Sequence, residues 1–119
     1  MEFKSNIEFG RWGEEKAKFY VKENGYKIIE ENFRISRGEI DLIAEKENTI
    51  IFIEVKTRKN SFFGPPQSAV NWKKQNKIKK IARCFLVNNN YKDYKKRFDV
   101  IAIIYNKKNI NIEHYKNSF

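Results

Sequence analysis

The ten residues TIIFIEVKTR, Thr49–Arg58, constrain the fold of this chain more than any other stretch. In an extended strand, alternate side chains point to opposite faces. Ile51, Ile53 and Val55 then share one face, and Ile50, Phe52, Glu54 and Lys56 share the other. Both faces begin apolar, so the segment reads as a central strand covered on both sides. A chain of 119 residues supports one hydrophobic core of that kind and hardly two, so a single domain over 1–119 is expected.

The flanking sequence supplies the covering layers. Positions 3 to 23 read as a helix, with Phe3, Ile7, Gly10, Glu14, Ala17 and Val21 along one stripe. Asn24-Gly25 is a stop, with glycine free to take the left-handed C-terminal conformation. Extended segments follow at Lys27–Ile35, Glu39–Glu45 and Thr49–Arg58, joined by the turns Ser36-Arg37-Gly38 and Lys46-Glu47-Asn48. Connections this short predict an antiparallel meander. Gly64-Pro65-Pro66 breaks the pattern, and Pro66 can begin a helix running to about Asn88 with Val70, Lys74, Ile78, Ile81 and Phe85 inward. Arg97–Tyr105 reads as a fourth strand and Asn109–His114 as a short fifth at an edge. The order α-β-β-β-α-β-β predicts an α/β fold, a mixed central sheet flanked by helices, because the helix between strands three and four permits a parallel crossover.

Charged residues stand where this pattern calls for apolar ones. Glu54 and Lys56 continue an apolar strand face, and neither is a natural core residue. Asp41 shares a face with Ile43, while Ile40, Leu42 and Ala44 line the other. If the two strands pair through the short turn, Asp41 lies beside Glu54. Glu14 interrupts the helical stripe between Gly10 and Ala17, and Gly10 and Gly13 would permit close approach to the sheet. Phosphodiester hydrolysis is a chemistry that wants such a set. A hard divalent ion, Mg²⁺ or Mn²⁺, takes oxygen ligands, here Asp41, Glu54 and the backbone carbonyl of Val55. Lys56 would orient water or stabilise developing negative charge, with Glu14 as an accessory acid. Each piece also has a plain reading: a Glu54–Lys56 ion pair, an Asp41 bordering a turn, a Glu14–Lys18 pair on a helix surface. Three separate segments placing acids at core-patterned positions favour a site.

Charge distribution points to a partner. Residues 1–60 hold 12 Lys/Arg and 12 Asp/Glu, whereas residues 61–119 hold 13 and 3, so the second half carries the whole net charge of +10. That is the footprint of a phosphate-backbone binder. Lys73, Lys77, Lys79, Lys80 and Arg83 on the second helix read as phosphate contacts that position without reading sequence, or as a solvated face. Lys74 could reach a scissile phosphate or merely snorkel. Gln67 follows the Gly-Pro-Pro break and is expected near the site. Trp12, Trp72, Phe62 and Phe63 could stack on bases, with core packing the default. Arg97 and Asp99 read as a structural ion pair, His114 as structural or exposed, and Cys84 as a buried thiol. The longest apolar run, Val100–Tyr105, is too short to span a bilayer. With no apolar leader at the start and a lone cysteine, a cytoplasmic protein with no membrane partner is expected.

The motifs GEIDLIA (38–44) and FIEVKTR (52–58) together resemble the YraN-like family of bacterial proteins, a branch of the PD-(D/E)XK nuclease superfamily akin to Holliday-junction resolvases. GRWGE (10–14), Asn32-Phe33-Arg34, Val70 with Lys74, and Arg97-Phe98-Asp99-Val100 extend the resemblance over most of the chain. It implies a restriction-endonuclease-like core with Asp41, Glu54 and Lys56 as the nuclease triad and Glu14 accessory. Ile40 stands where the superfamily has proline, which donates no ligand. Two functions follow as expectations: a Mg²⁺-dependent endonuclease acting on DNA, branched or damaged, and a catalytically inactive nucleic-acid-binding adaptor in DNA repair or processing. Resolvase-like relatives suggest a homodimer, since two cuts need two sites.

Overall fold

A two-residue turn sets the register of the sheet's first half. Glu47 and Asn48 both take left-handed φ values, 52° and 59°, the conformation that fits a hairpin to the twist of its strands. Lys46 therefore pairs with Thr49 across the turn. In the computed structural model, described over residues 2–36, 38–59 and 70–119, strands β1 (Lys27–Ile35), β2 (Gly38–Lys46) and β3 (Thr49–Arg58) form the expected antiparallel meander. Strand β4 (Lys95–Asn106) lies parallel to β3, and β5 (Asn109–Tyr115) is antiparallel to β4 at the edge. The sheet order is β1-β2-β3-β4-β5. Helix α1 (Asn6–Glu23) precedes it, and α2 (Trp72–Asn88) makes the crossover between the parallel strands. This is the α-β-β-β-α-β-β mixed sheet that the sequence predicts.

Each sheet face has its own core. On the α1 side, Ala17 and Val21 pack with Leu42, Ala44, Ile51, Ile53, Val55, Ile101 and Ile103. On the α2 side, Ile78, Ile81, Ala82, Phe85 and Leu86 pack with Ile40, Ile43, Ile50, Phe52 and Val100. β3 contributes to both cores, as a central strand must. Burial of each such isoleucine stabilises by roughly 1.5–3 kcal/mol.

Both helices begin later than their spacing predicts, because capping residues override periodicity. Ser5 accepts from the Glu8 N–H (3.1 Å), and Glu8 reaches back to the Lys4 N–H (3.2 Å), so α1 starts at Asn6 rather than residue 3. Phe3 lies before the helix and packs on Phe9, Trp12 and Tyr105. The buried stripe keeps Ala17 and Val21 as expected, but before them it runs through Phe9 and Gly13 rather than Ile7, Gly10 and Glu14, and Ile7 is exposed. Gly13 alone makes the close approach: a Cβ there would overlap the Thr57 side chain, whereas one on Gly10 would meet nothing. In α2, Asn71 caps the Lys74 N–H (3.0 Å), leaving Val70 buried just outside the helix. The expected start at Pro66, the Gly64-Pro65-Pro66 break, Gln67, Phe62, Phe63 and Arg37 lie outside the described residues. Gly38 gives α2 its approach to β2, since a Cβ there would overlap the Ile81 side chain.

Strand β2 also departs from expectation. Ile40 and Ile43 belong to the α2-side core, while Leu42 and Ala44 belong to the α1-side core. Strict alternation would set Ile40 with Leu42 and Ala44. It fails at Asp41, and on β1, between the partners of Leu42 and Ile40, Asn32 has φ 50°. Asparagine tolerates that conformation better than most residues. Among the described residues, no helix is long and apolar enough to cross a membrane.

Candidate functional site

The backbone ladder between β2 and β3 runs from Lys46–Thr49 to Leu42–Ile53 and stops. The next pair would be Asp41 with Glu54. Instead the Asp41 carboxylate reaches across and accepts the Val55 N–H at 2.8 Å. A side chain thus takes over a backbone acceptor's role, and the strands part around it while β3 stays paired to β4 as far as Arg58–Ile104. Burial pushes the Asp41 carboxyl up to about 7, and the neighbouring Glu54 charge pushes in the same direction. The Val55 hydrogen bond opposes this shift without overcoming it.

Glu54 is 6% exposed, and a carboxylate so placed needs cations. It has two. Lys74 Nζ, from the first turn of α2, donates to Oε1 at 2.6 Å, and Lys56 Nζ sits 3.5 Å from the same oxygen. Burial, then the Lys74 charge, holds the Lys56 amine below the ordinary lysine range. Burial lowers Lys74 too, but the hydrogen bond to Glu54 and the Glu54 charge, with smaller help from its neighbours, together outweigh it and raise the amine. The same-face placement of Glu54 and Lys56 is as the pleat predicts, and Lys74 points inward.

Glu14 approaches from α1. Its carboxyl is raised by burial, then by the charges of Glu39 and Glu54. Asp41 lines two clefts: one of about 430 Å³ with Glu39, Glu54, Lys73, Lys74 and Lys77, the other of about 320 Å³ with Arg11, Glu14, Asn32 and Lys18. The parted strands therefore present Asp41 to both. Asn32, with its amide turned to suit its neighbours, donates to Glu14 Oε1 (3.0 Å) and Glu39 Oε1 (2.9 Å). Sequence reasoning gives Glu39 and Asn32 no part in the site. Glu39 had a signal, since it precedes Asp41 by two residues. Asn32 had none beyond its place in a strand signature.

Lys73 and Lys77 line the larger cleft with Lys74, whereas Lys80 and Arg83 stand exposed farther along α2. Arg97 does pair with Asp99, through two bonds of 2.9 and 2.8 Å. Asp99 is fully buried and also receives His114 Nε2 (2.7 Å) and the Asn117 N–H (3.0 Å), so His114 is structural. Cys84 is exposed, not buried, because the inward face of α2 runs through Ile81, Ala82 and Phe85 on either side of it. Trp72 is exposed rather than core, since it lies off the face that carries Ile78, Ile81 and Phe85.

Among the described residues, no three His, Cys, Asp or Glu side chains converge closely enough to enclose a metal by themselves. The donor set nonetheless suits Mg²⁺ or Mn²⁺, which take one or two carboxylates and complete their shell with water and phosphate. Two carboxyls crowd one gap, and Asp41 there is raised to about 7, a strain that a cation would relieve.

A profile described as "Uncharacterised protein family UPF0102" matches residues 13–103. The chain is similar to a UPF0102 protein of Caldanaerobacter subterraneus, 45% identical over 92% of this chain and 93% of that protein. It is 45% identical to one of Clostridium botulinum over 96% and 95%, and 48% identical to one of Thermodesulfovibrio yellowstonii over 97% and 98%.

Proposed function

This chain belongs to the UPF0102 family, and from that premise we propose that it is a Mg²⁺- or Mn²⁺-dependent endonuclease hydrolysing phosphodiester bonds of DNA. One observation carries the reading: Asp41 interrupts the β2–β3 ladder and sits beside the buried Glu54, itself flanked by Lys56 and Lys74. A purely structural Asp would not need to displace a backbone pair between two central strands.

Asp41, Glu54 and the Val55 carbonyl would hold the divalent cation. When bound, that ion supplies Lewis-acid polarisation of the phosphate and acidifies a water. Lys56 Nζ, kept at the site by Glu54, donates to the charge that develops on the phosphate oxygens. Its depressed pKa leaves the amine readier than an ordinary lysine to hand a proton on. Glu14 accepts a hydrogen bond from a water in the smaller cleft. Lys73, Lys74, Lys77, Lys80 and Arg83 neutralise the DNA backbone along α2 and fix its path without reading bases. The resemblance to resolvases favours branched or damaged DNA and a homodimer.

The test is a cleavage screen over linear, nicked, flap and junction DNA with Mg²⁺ or Mn²⁺. Metal-dependent cuts by the native chain that vanish in Glu54→Ala are expected. No cut on any substrate would remove the reading. The basic second half would then favour the second one, a non-catalytic DNA-binding adaptor whose salt-sensitive binding survives Glu54→Ala.

A further inference from the structure

Two cations share Glu54 Oε1, and they are not equivalent. Lys56 lies two residues away on the same strand and cannot leave the neighbourhood. Lys74 comes from another element, makes the shorter contact at 2.6 Å, and has a side chain 41% exposed on a flexible stem. It also lines the same cleft as Lys73 and Lys77, where a phosphate backbone would run. Its ammonium stands against the oxygen that a divalent ion would need.

We propose that Lys74 is an exchangeable counter-ion. It neutralises Glu54 in the free protein, moves to a DNA phosphate when the backbone enters the cleft, and so releases Glu54 to the divalent cation. This rests on the nuclease reading of the same site. The exchange conserves charge pairing at each stage: the buried carboxylate trades an ammonium for a metal ion while the ammonium gains a phosphate. Without a phosphate, the metal must displace Lys74 into solvent, away from a charge-assisted bond. With one, that loss is offset. Metal and DNA binding must then reinforce each other, and linkage makes the effect reciprocal. Lys74 acts through Glu54, as a positioning residue for the metal.

The experiment is calorimetric titration of the full chain with Mn²⁺, alone and saturated with a cleavage-resistant phosphorothioate DNA duplex. The native protein should bind Mn²⁺ roughly tenfold tighter with the duplex, within the usual range of coupling between sites. Lys74→Met should bind Mn²⁺ roughly tenfold tighter than native without DNA, and gain little more when DNA is added. Lys74→Arg, which restores a cation, should return toward native behaviour. Circular dichroism and thermal unfolding establish that each variant is folded. A folded Lys74→Met that binds Mn²⁺ no tighter than native, or a native protein whose Mn²⁺ affinity ignores the duplex, overturns the exchange. A protein that binds no Mn²⁺ in any form overturns it together with the nuclease reading. Neither readout needs turnover, so an active nuclease without the coupling loses only this inference.

Discussion

Asp41 bears more conflicting demands than any other residue in the site. Its carboxyl is raised from 3.8 to about 7 by burial and by Glu54, yet it must accept the Val55 N–H where the backbone ladder ends. The folded protein thus holds this proton more tightly than the unfolded chain does. The associated stability is complete below about pH 4 and is lost as pH rises toward 7. Thermal unfolding of the metal-free protein should show a decline across that interval, and Asp41→Asn should flatten it. An identical slope in the variant would place the titration elsewhere. Mn²⁺ should raise the unfolding temperature at pH 8 far more than at pH 5, because at pH 5 the ion competes with that proton. Lys56→Ala should cut the cleavage rate by about 100-fold or more, the scale of losing one charge-stabilising donor, without weakening DNA binding comparably. Of these residues, Asp41, Glu54, Lys56 and Glu14 are legible in sequence because each is a charge in an apolar pattern. Glu39 carried only its spacing of two from Asp41, and Asn32 carried no signal, because an amide on an edge strand looks ordinary.

At the scale of elements, Gly13 and Asp99 control how the layers meet. α1 crosses β3 with Gly13 against Thr57, and a Cβ would overlap that side chain. Gly13→Ala should destabilise by about 1–3 kcal/mol despite better helix propensity, measured by urea unfolding. Gly10→Ala, with open space around its Cβ, should be neutral or slightly stabilising. Asp99 ties Arg97 in β4 to His114 in β5 and to the Asn117 backbone, and Tyr20 of α1 joins through His114 Nδ1 at 3.1 Å. Asp99→Ala strips a buried acceptor from several donors and should cost about 3 kcal/mol. Element order and the antiparallel meander followed from turn chemistry and the strand pattern. The helix starts did not, because Ser5 and Asn71 cap from outside the periodic stripe. The break in β2 was also illegible: nothing in GEIDLIA says that a side chain will replace a backbone acceptor at Asp41.

Across the whole molecule, the charge split acquires a geometry. The acidic gap between β2 and β3 opens on a cleft whose far wall is α2, with Lys73, Lys74 and Lys77. Acids gather where a cation would bind and lysines where a phosphate backbone would lie, each attracting what the other repels. Neutralising Lys73, Lys77 and Lys80 together should weaken DNA binding and lower the salt slope by about 1 for each phosphate no longer neutralised. An unchanged slope would put the DNA on another face. In the nuclease reading, the gap between β2 and β3 holds a cation between Asp41 and Glu54. That placement is tested most directly by anomalous diffraction from crystals of the full chain soaked in Mn²⁺. A single peak bridging the Asp41 and Glu54 carboxylates, absent in Glu54→Ala crystals, is predicted. Full Mn²⁺ soaking with no peak in the gap, and Lys74 still paired to Glu54 with DNA bound, would contradict it.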